Sequence, residues 1–478
     1  MTTLSESRNE NLVKNSFILS FGTLIPKALT ILVLPILTSY LTTAEYGNYD
    51  LVLSATSLIV PVATMQIQQA IFRFLLGNRE KFVQEGYIAS SLAFILFMSL
   101  VSCPVTYIVG LALNLPKSIS IIMCLLVAAE SLYMLLGQVM RGIGKTLNYS
   151  LGVIIYAVVN VILLVIFLPL MKLGLNGVVI SITVAYATSA FSMYFITIRS
   201  YKVSLKKFNK GQLKELLSFS APIVPSSISL WVVNLSDRII IVYFLGAAAN
   251  GIYSVANKIP ALYSTAYNVF NLAWTETAAR VADDDSDPAI YYTQMFKKMF
   301  YFLVGVMLVI IAISPAFYSI FVNAQYYDSY YQTAVLYFGV FFNSLVMYYA
   351  SIYIALKKTR QVGYSSAAGA VINAVVNLLM VNTYGLYAAS VSTMVSYLVI
   401  TIYRAIDINR YIRIRYDVRQ ISFGLLCMIL SSMLYFQRTI PCIVLCYLIA
   451  LAYNLVFNRY LVMWFWNKAC RLILRRSH

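Results

Sequence analysis

Runs of twenty or more apolar residues follow one another along nearly the whole chain, and each is long enough to cross a bilayer as a helix. Only 11% of the residues are charged, under half the share of about 25% found in soluble domains. A transmembrane barrel would alternate polar and apolar residues in segments of about ten, and no such alternation occurs. The expected fold is therefore all-α, a polytopic membrane protein of about fourteen transmembrane helices. Apolar runs and breakers place them at 14–40, 45–72, 83–112, 118–139, 147–170, 174–198, 216–243, 247–275, 296–322, 331–355, 361–382, 385–406, 418–437 and 439–463.

A net charge of +18 raises the question of nucleic acid, and the placement of the charge answers it. Alternate gaps hold Arg73, Arg79 and Lys81; Arg141 and Lys145; Arg199 to Lys214; Arg280, Lys297 and Lys298; Lys357, Lys358 and Arg360; and Arg404 to Arg419. The opposite gaps hold only Lys117, Lys172 and Arg438. Positive residues stay on the cytoplasmic side, so both termini are expected there, and the charge becomes a rim facing anionic lipid. No nucleic-acid partner is expected. The polar opening "MTTLSESRNENLVKN" lacks a signal-peptide pattern, so the first span is expected to be retained.

Several chemistries drop out. The one histidine is His478, which removes histidine-based triads and histidine-ligated metals. None of the six cysteines falls in a metal-knuckle spacing; Cys442 and Cys446, four apart, suit helix packing. No cofactor, metal or disulfide is expected.

The chain also repeats itself. "LTTAEYGNYDLV" (41–52) lies over "LGAAANGIYSVA" (245–256) at an offset of 204, matching Leu41, Ala44, Gly47 and Tyr49 to Leu245, Ala248, Gly251 and Tyr253. "GLNGVVISITVAY" (174–186) resembles "GLYAASVSTMVSY" (385–397) at the sixth span of each half. Two six-helix lobes result, 1–198 and 216–408, joined by a basic linker at 199–215 and followed by two further spans and a basic tail at 409–478. Six spans per lobe is even, so the copies point the same way, a parallel pseudo-two-fold repeat.

Helical spacing lines up polar residues inside matching spans. Span 1 carries Ser20, Thr23, Lys27 and Thr30; span 7 carries Ser227, Trp231, Asn234 and Arg238. Span 2 carries Asp50, Ser54, Ser57, Pro61, Thr64 and Gln68; span 8 carries Ser254, Lys258, Thr265 and Asn268. Polar faces on membrane helices meet protein or water, so a wet cavity between the halves is expected. A Lys or Arg at a span centre costs about 2.5–3.5 kcal/mol, which makes Lys27, Arg238 and Lys258 candidates for anion binding. Arg238 and Lys258 share a depth of roughly 12 Å, from the helical rise. Arg73 would receive an anion at the mouth, and Trp231 would stack on a sugar. The structural alternative pairs Asp237 with Lys258 and Glu130 with Lys27. Glu130, Asp50 and Glu276 are candidate ion or proton sites.

The stretch "DRIIIVYFLGAAANGIYSVANKIP", with "LPILTSYLTTAEYGNYDL" at 34–51, resembles the polysaccharide transporters that flip lipid-linked oligosaccharides, the O-antigen and capsule repeat units. They form part of the multidrug/oligosaccharidyl-lipid/polysaccharide exporter superfamily. The resemblance implies a flippase of the bacterial inner (cytoplasmic) membrane, not an enzyme. It would move polyprenyl-pyrophosphate-linked oligosaccharide to the outer leaflet by alternating access. Lys27, Arg238 and Lys258, with Asp237 as partner, would hold the pyrophosphate, and spans 13 and 14 would shape a groove for the lipid tail. The implied partners are that substrate, anionic membrane lipids and the polysaccharide polymerase machinery, with the flippase acting as a monomer. A cation-coupled drug exporter of the same superfamily would share the lobes, but would favour a cavity of carboxylates and aromatics. A membrane glycosyltransferase or polysaccharide polymerase would need a sizeable outward loop, and none is long enough.

Overall fold

The computed structural model describes residues 32–459 apart from 79, 203 and 285–287, together with residue 463. The described residues are almost wholly helical and contain no strand. Ten of their helices are long and apolar enough to cross a membrane, or eleven if one bent pair counts as a single span. The all-α polytopic fold expected from the apolar runs is the fold observed. The chain divides into two compact units, Met1–Gly251 and Ile252–His478.

The first unit opens with α1 (32–40), followed by α2 (Thr43–Ala63). The start of α2 is written in "TTAE": Thr42 Oγ1 accepts from the Glu45 N–H at 3.2 Å, and Glu45 Oε2 accepts from the Thr42 N–H at 2.9 Å. This reciprocal cap satisfies two otherwise orphaned donors. The second span is not one helix. After α2, Met65 and Gln66 take φ of 46° and 56°, and α3 (Ile67–Gly77) leaves at 51° to α2. A proline such as Pro61 kinks a helix; two consecutive left-handed residues make a break.

Then come α4 (Lys81–Ala112), α5 (Lys117–Gly142), α6 (Thr146–Val165) with a π turn at Ile166–Leu170, and α7 (Gly174–Ser200). The seventh expected span also divides. Residues Lys210–Ser220 form a separate helix, α8, capped by Asn209, and α9 (Val224–Leu245) starts beyond Pro222. The basic linker is thus partly structured: Lys207 pairs with Glu85, and Tyr87 Oη donates to Glu215 at 2.6 Å. Leu216 of α8 joins an apolar core with Ile71, Leu75, Tyr87, Leu136 and Met140.

Helix α10 (Ala247–Ala256) follows Gly246, whose φ of 85° makes the turn. Here the sequence repeat acquires a geometric meaning. A Cβ on Gly47 would collide with the Ala247 carbonyl, and one on Gly251 would collide with the Thr43 carbonyl. Residues 43 and 247, and 47 and 251, are equivalent under the 204-residue offset. The two motif copies therefore cross symmetrically, backbone against backbone, and only glycine permits the approach.

The second unit holds α11 (Lys258–Asp284), α12 (Pro288–Phe321), α13 (Asp328–Ala355), α14 (Thr359–Tyr384), α15 (Leu386–Ile408), α16 (Val418–Gln437) and α17 (Ile440–Phe457). Its internal packing echoes the first. Helices α5 and α6 both pack on α7, as α13 and α14 pack on α15. Ser189 Oγ of α7 donates to the Gly152 carbonyl of α6 at 2.6 Å, and Ser396 Oγ of α15 donates to the Gly369 carbonyl of α14 at 2.7 Å. Helices α16 and α17 pack on α12. Arg404, counted with the basic gap although it falls within the 385–406 run, is inside α15 and 1% exposed. Its guanidinium donates to the carbonyls of Val346 and Val362 and to the hydroxyls of Ser365 and Ser366.

In each unit the basic segments gather at one end. In the first, Arg141 lies over Phe72 at 4.8 Å and Lys81 over Tyr201 at 5.4 Å. In the second, Lys358 lies over Tyr411 at 5.3 Å.

Candidate functional site

The polar faces of α2 and α9 meet. Arg238 Nε donates to Asp50 Oδ2 at 2.5 Å, with the two side chains 16% and 9% exposed. One turn along α2, the Trp231 indole N–H donates to the Ser54 carbonyl at 2.7 Å. At the far end of α2, Gln66 Nε2 donates to Ser227 Oγ at 2.8 Å. On the other side of the ion pair, Asn250 Nδ2 donates to the Gly47 carbonyl at 2.9 Å and to Asp50 Oδ2 at 3.4 Å.

The stripes therefore bind each other along much of their length, where the spacing alone had suggested that both lined water. The arrangement suits a membrane interior, since it satisfies a cation and a carboxylate together. Two residues named from sequence take part in it. Trp231, a candidate for stacking on sugar, is partly buried and spends its N–H on Ser54. Asp50, a candidate ion site, is the carboxylate that holds Arg238. The pairing of these residues was not legible beforehand, because 188 positions separate them.

Asp237 is buried beside Arg238 on α9. Asn234 lies on the same helix. Lys258 begins α11 and is partly buried, while Asn268 of α11 is exposed. Arg73, in α3, is exposed, as a residue at a mouth would be. Lys27 and Thr30, and with them the suggested Lys27–Glu130 pair, lie outside the described residues. Glu276 is exposed and pairs with Arg280 one turn later on α11.

Glu130 has a different setting. It sits partly buried on α5, and no hydrogen bond or ion pair reaches it from the described residues. It acts electrostatically on Tyr133 of α5, Tyr156 of α6 and Tyr186 of α7. Those rings form one cluster, with centroids 5.7, 5.0 and 4.4 Å apart. Only Tyr133, three residues on and so on the same face, could have been picked from the sequence. A partly buried carboxylate near tyrosines suits a proton or a cation.

A family model described as "Polysaccharide biosynthesis protein" matches residues 12–275. An uncharacterised membrane protein of Methanocaldococcus jannaschii is 23% identical over 416 residues, which is 81% of this chain and 95% of that one. Among solved structures, the lipid II flippase MurJ in an inward closed conformation superposes with a TM-score of 0.69 at 12% identity, covering 94% of this chain and 100% of that one. An inward-facing multidrug resistance transporter of the MATE family, in the MOP superfamily, superposes with a TM-score of 0.64 at 15% identity, covering 82% and 98%. At these identities the two structures establish a shared fold.

Proposed function

The chain belongs to the polysaccharide biosynthesis protein family, and from that premise we propose that it is a flippase for a polyprenyl-pyrophosphate-linked oligosaccharide. It moves this lipid from the cytoplasmic to the outer leaflet of a bacterial inner membrane for surface polysaccharide biosynthesis. The reading is supported by a fold shared with a lipid II flippase, a protein named for its lipid cargo. The observation that carries it is Arg238, a guanidinium within α9 fixed by Asp50. A planar, permanently charged fork suits a diphosphate, and a cation inside a span is functional by default. Lys258, Lys27 and Arg73 complete the proposed cationic path, with Asp237 as a partner. The repeat supports alternating access by two six-helix lobes, and no catalytic step is assigned to the chain.

Glu130 is the proposed coupling group, binding a proton or a small cation among its three tyrosines. Asp50 and Glu276, each already in an ion pair, suit that role less.

The test is made in cells and in liposomes. Arg238→Ala and Lys258→Ala should abolish surface polymer at unchanged protein level, with precursor accumulating in the inner leaflet. Arg238→Lys should be a partial defect, because charge remains and the fork is lost. Normal polymer from both alanine variants would overturn the assignment. Glu130→Gln should remove the dependence of flipping on pH or sodium while leaving the lipid bound. A second reading, a cation-coupled exporter of small molecules, draws support from the same Glu130 and its aromatic surroundings. Drug export undiminished in Lys258→Ala would favour it.

A further inference from the structure

At the basic end of the second unit, a cavity of about 270 Å³ opens between α12 and the chain leading into α16. Two exposed cations line it, Lys297 of α12 and Arg415 just before α16. Two further polar atoms, Tyr301 Oη and Gln420 Oε1, are buried there with no hydrogen-bond partner among the described residues. Burying a polar atom unpaired is unfavourable, so a ligand that reaches them relieves that cost. The frame is firm. The Arg415 backbone N–H donates to Thr293 Oγ1 at 3.1 Å, tying the segment to α12. Asp417 caps α16 by accepting from the Gln420 N–H at 3.3 Å, and its exposed carboxylate is the one acidic group of the lining, set against the two cations. Lys297 lies 5.8 Å from the Tyr301 ring centroid, directly above the orphaned hydroxyl's own ring.

Donors dominate this cavity: an ammonium, a guanidinium, a phenol and an amide whose nitrogen and oxygen exchange by a simple flip. A phosphate oxygen cluster accepts from all of them. The surroundings choose between a soluble phosphate and a lipid. Helix α16 leaves the cavity presenting Phe423, Leu426, Leu430 and Met433 outward, an apolar face of the kind that meets acyl chains. The cavity thus lies where a basic segment meets that face, the level at which lipid headgroups sit. We propose that it is a binding site for the phosphate headgroup of an anionic membrane lipid, separate from the Arg238 site and independent of the flipping reaction.

The test uses the purified full chain in detergent, with phosphatidylglycerol, phosphatidylcholine and inorganic phosphate as probes. Bound lipid is counted by native mass spectrometry and stabilisation by melting temperature. Phosphatidylglycerol should bind and raise the melting temperature, and phosphatidylcholine should do neither. Lys297→Ala/Arg415→Ala should need about tenfold more phosphatidylglycerol or lose the effect, while Lys357→Ala/Lys358→Ala, at another basic pair, should match the wild type. Tyr301→Phe separates binding from folding: it removes an orphan hydroxyl, so the lipid-free melting temperature should hold or rise while the lipid-induced increase shrinks. Should the double variant fail to fold, Tyr301→Phe alone decides. An undiminished phosphatidylglycerol effect in these variants would overturn the site. An equal effect from inorganic phosphate would overturn the lipid.

Discussion

Arg238 and Asp50 are paired at 2.5 Å and partly shielded from solvent, so each charge is offset by the other. Removing one partner leaves an uncompensated charge, whereas removing both removes the problem. Asp50→Ala should therefore destabilise the protein by on the order of 3 kcal/mol, and Asp50→Ala/Arg238→Met should recover most of that loss. Unfolding in mixed micelles checks the order of the two variants; equal destabilisation would mean the pair carries no mutual energy. Transport should be lost in both, which separates the folding role of the pair from its proposed work on phosphate. Arg404 shows the other way to keep a buried cation. Its donors meet two backbone carbonyls and two serine hydroxyls, all neutral, so its position follows from the packing of α13, α14 and α15.

Helix crossings place these residues. The symmetric approach of α2 and α10 brings Asn250 onto the Gly47 carbonyl and, through it, onto Asp50. Gly47→Ala and Gly251→Ala each force a methyl group into the opposing backbone, and neither carbonyl can swing aside as a side chain would. Both should reduce thermal stability and flipping together. Gly363 in α14 is the contrast, since a Cβ there meets nothing within 4 Å. Gly363→Ala should stabilise by about 0.5–1 kcal/mol, with flipping unchanged. If Gly47→Ala behaved like Gly363→Ala, the crossing would not be tight. The break between α2 and α3 is the second device at this scale. Two left-handed residues are intrinsically unfavourable, and the Gln66–Ser227 bond holds the second of them in place.

Across the whole molecule, charge placement sets orientation. Lys117, Lys172 and Arg438 stand opposite the basic ends. Ser118 beside α5's start donates to Asn176 Oδ1 beside α7's start at 3.1 Å, so those two loops share an end. Arg438, between α16 and α17 of the second unit, lies over Tyr330 and Tyr331, at 4.1 and 4.5 Å. Reporter fusions should read residue 117 as external and residue 206 as cytoplasmic. The opposite pattern would reverse the proposed direction of flipping. Fusions at 172 and 358 should split in the same way.

The sequence by itself determined the class of fold, most span positions and the repeat. Hydropathy, caps and charge alternation are properties of short stretches, and "TTAE" or a basic loop means the same wherever the rest of the chain goes. The offset of 204 already named Gly47 and Gly251 as equivalents. What only the tertiary structure decided was partnership. Asp50 chose Arg238 across 188 positions, tyrosines of three helices came together near Glu130, and Arg404 met a core of neutral acceptors. A polar residue in a span must find company, which its own helix periodicity reveals, but the identity of that company depends on which helix faces it and at what height. That is fixed by the fit of whole helices against one another, and no local pattern records it.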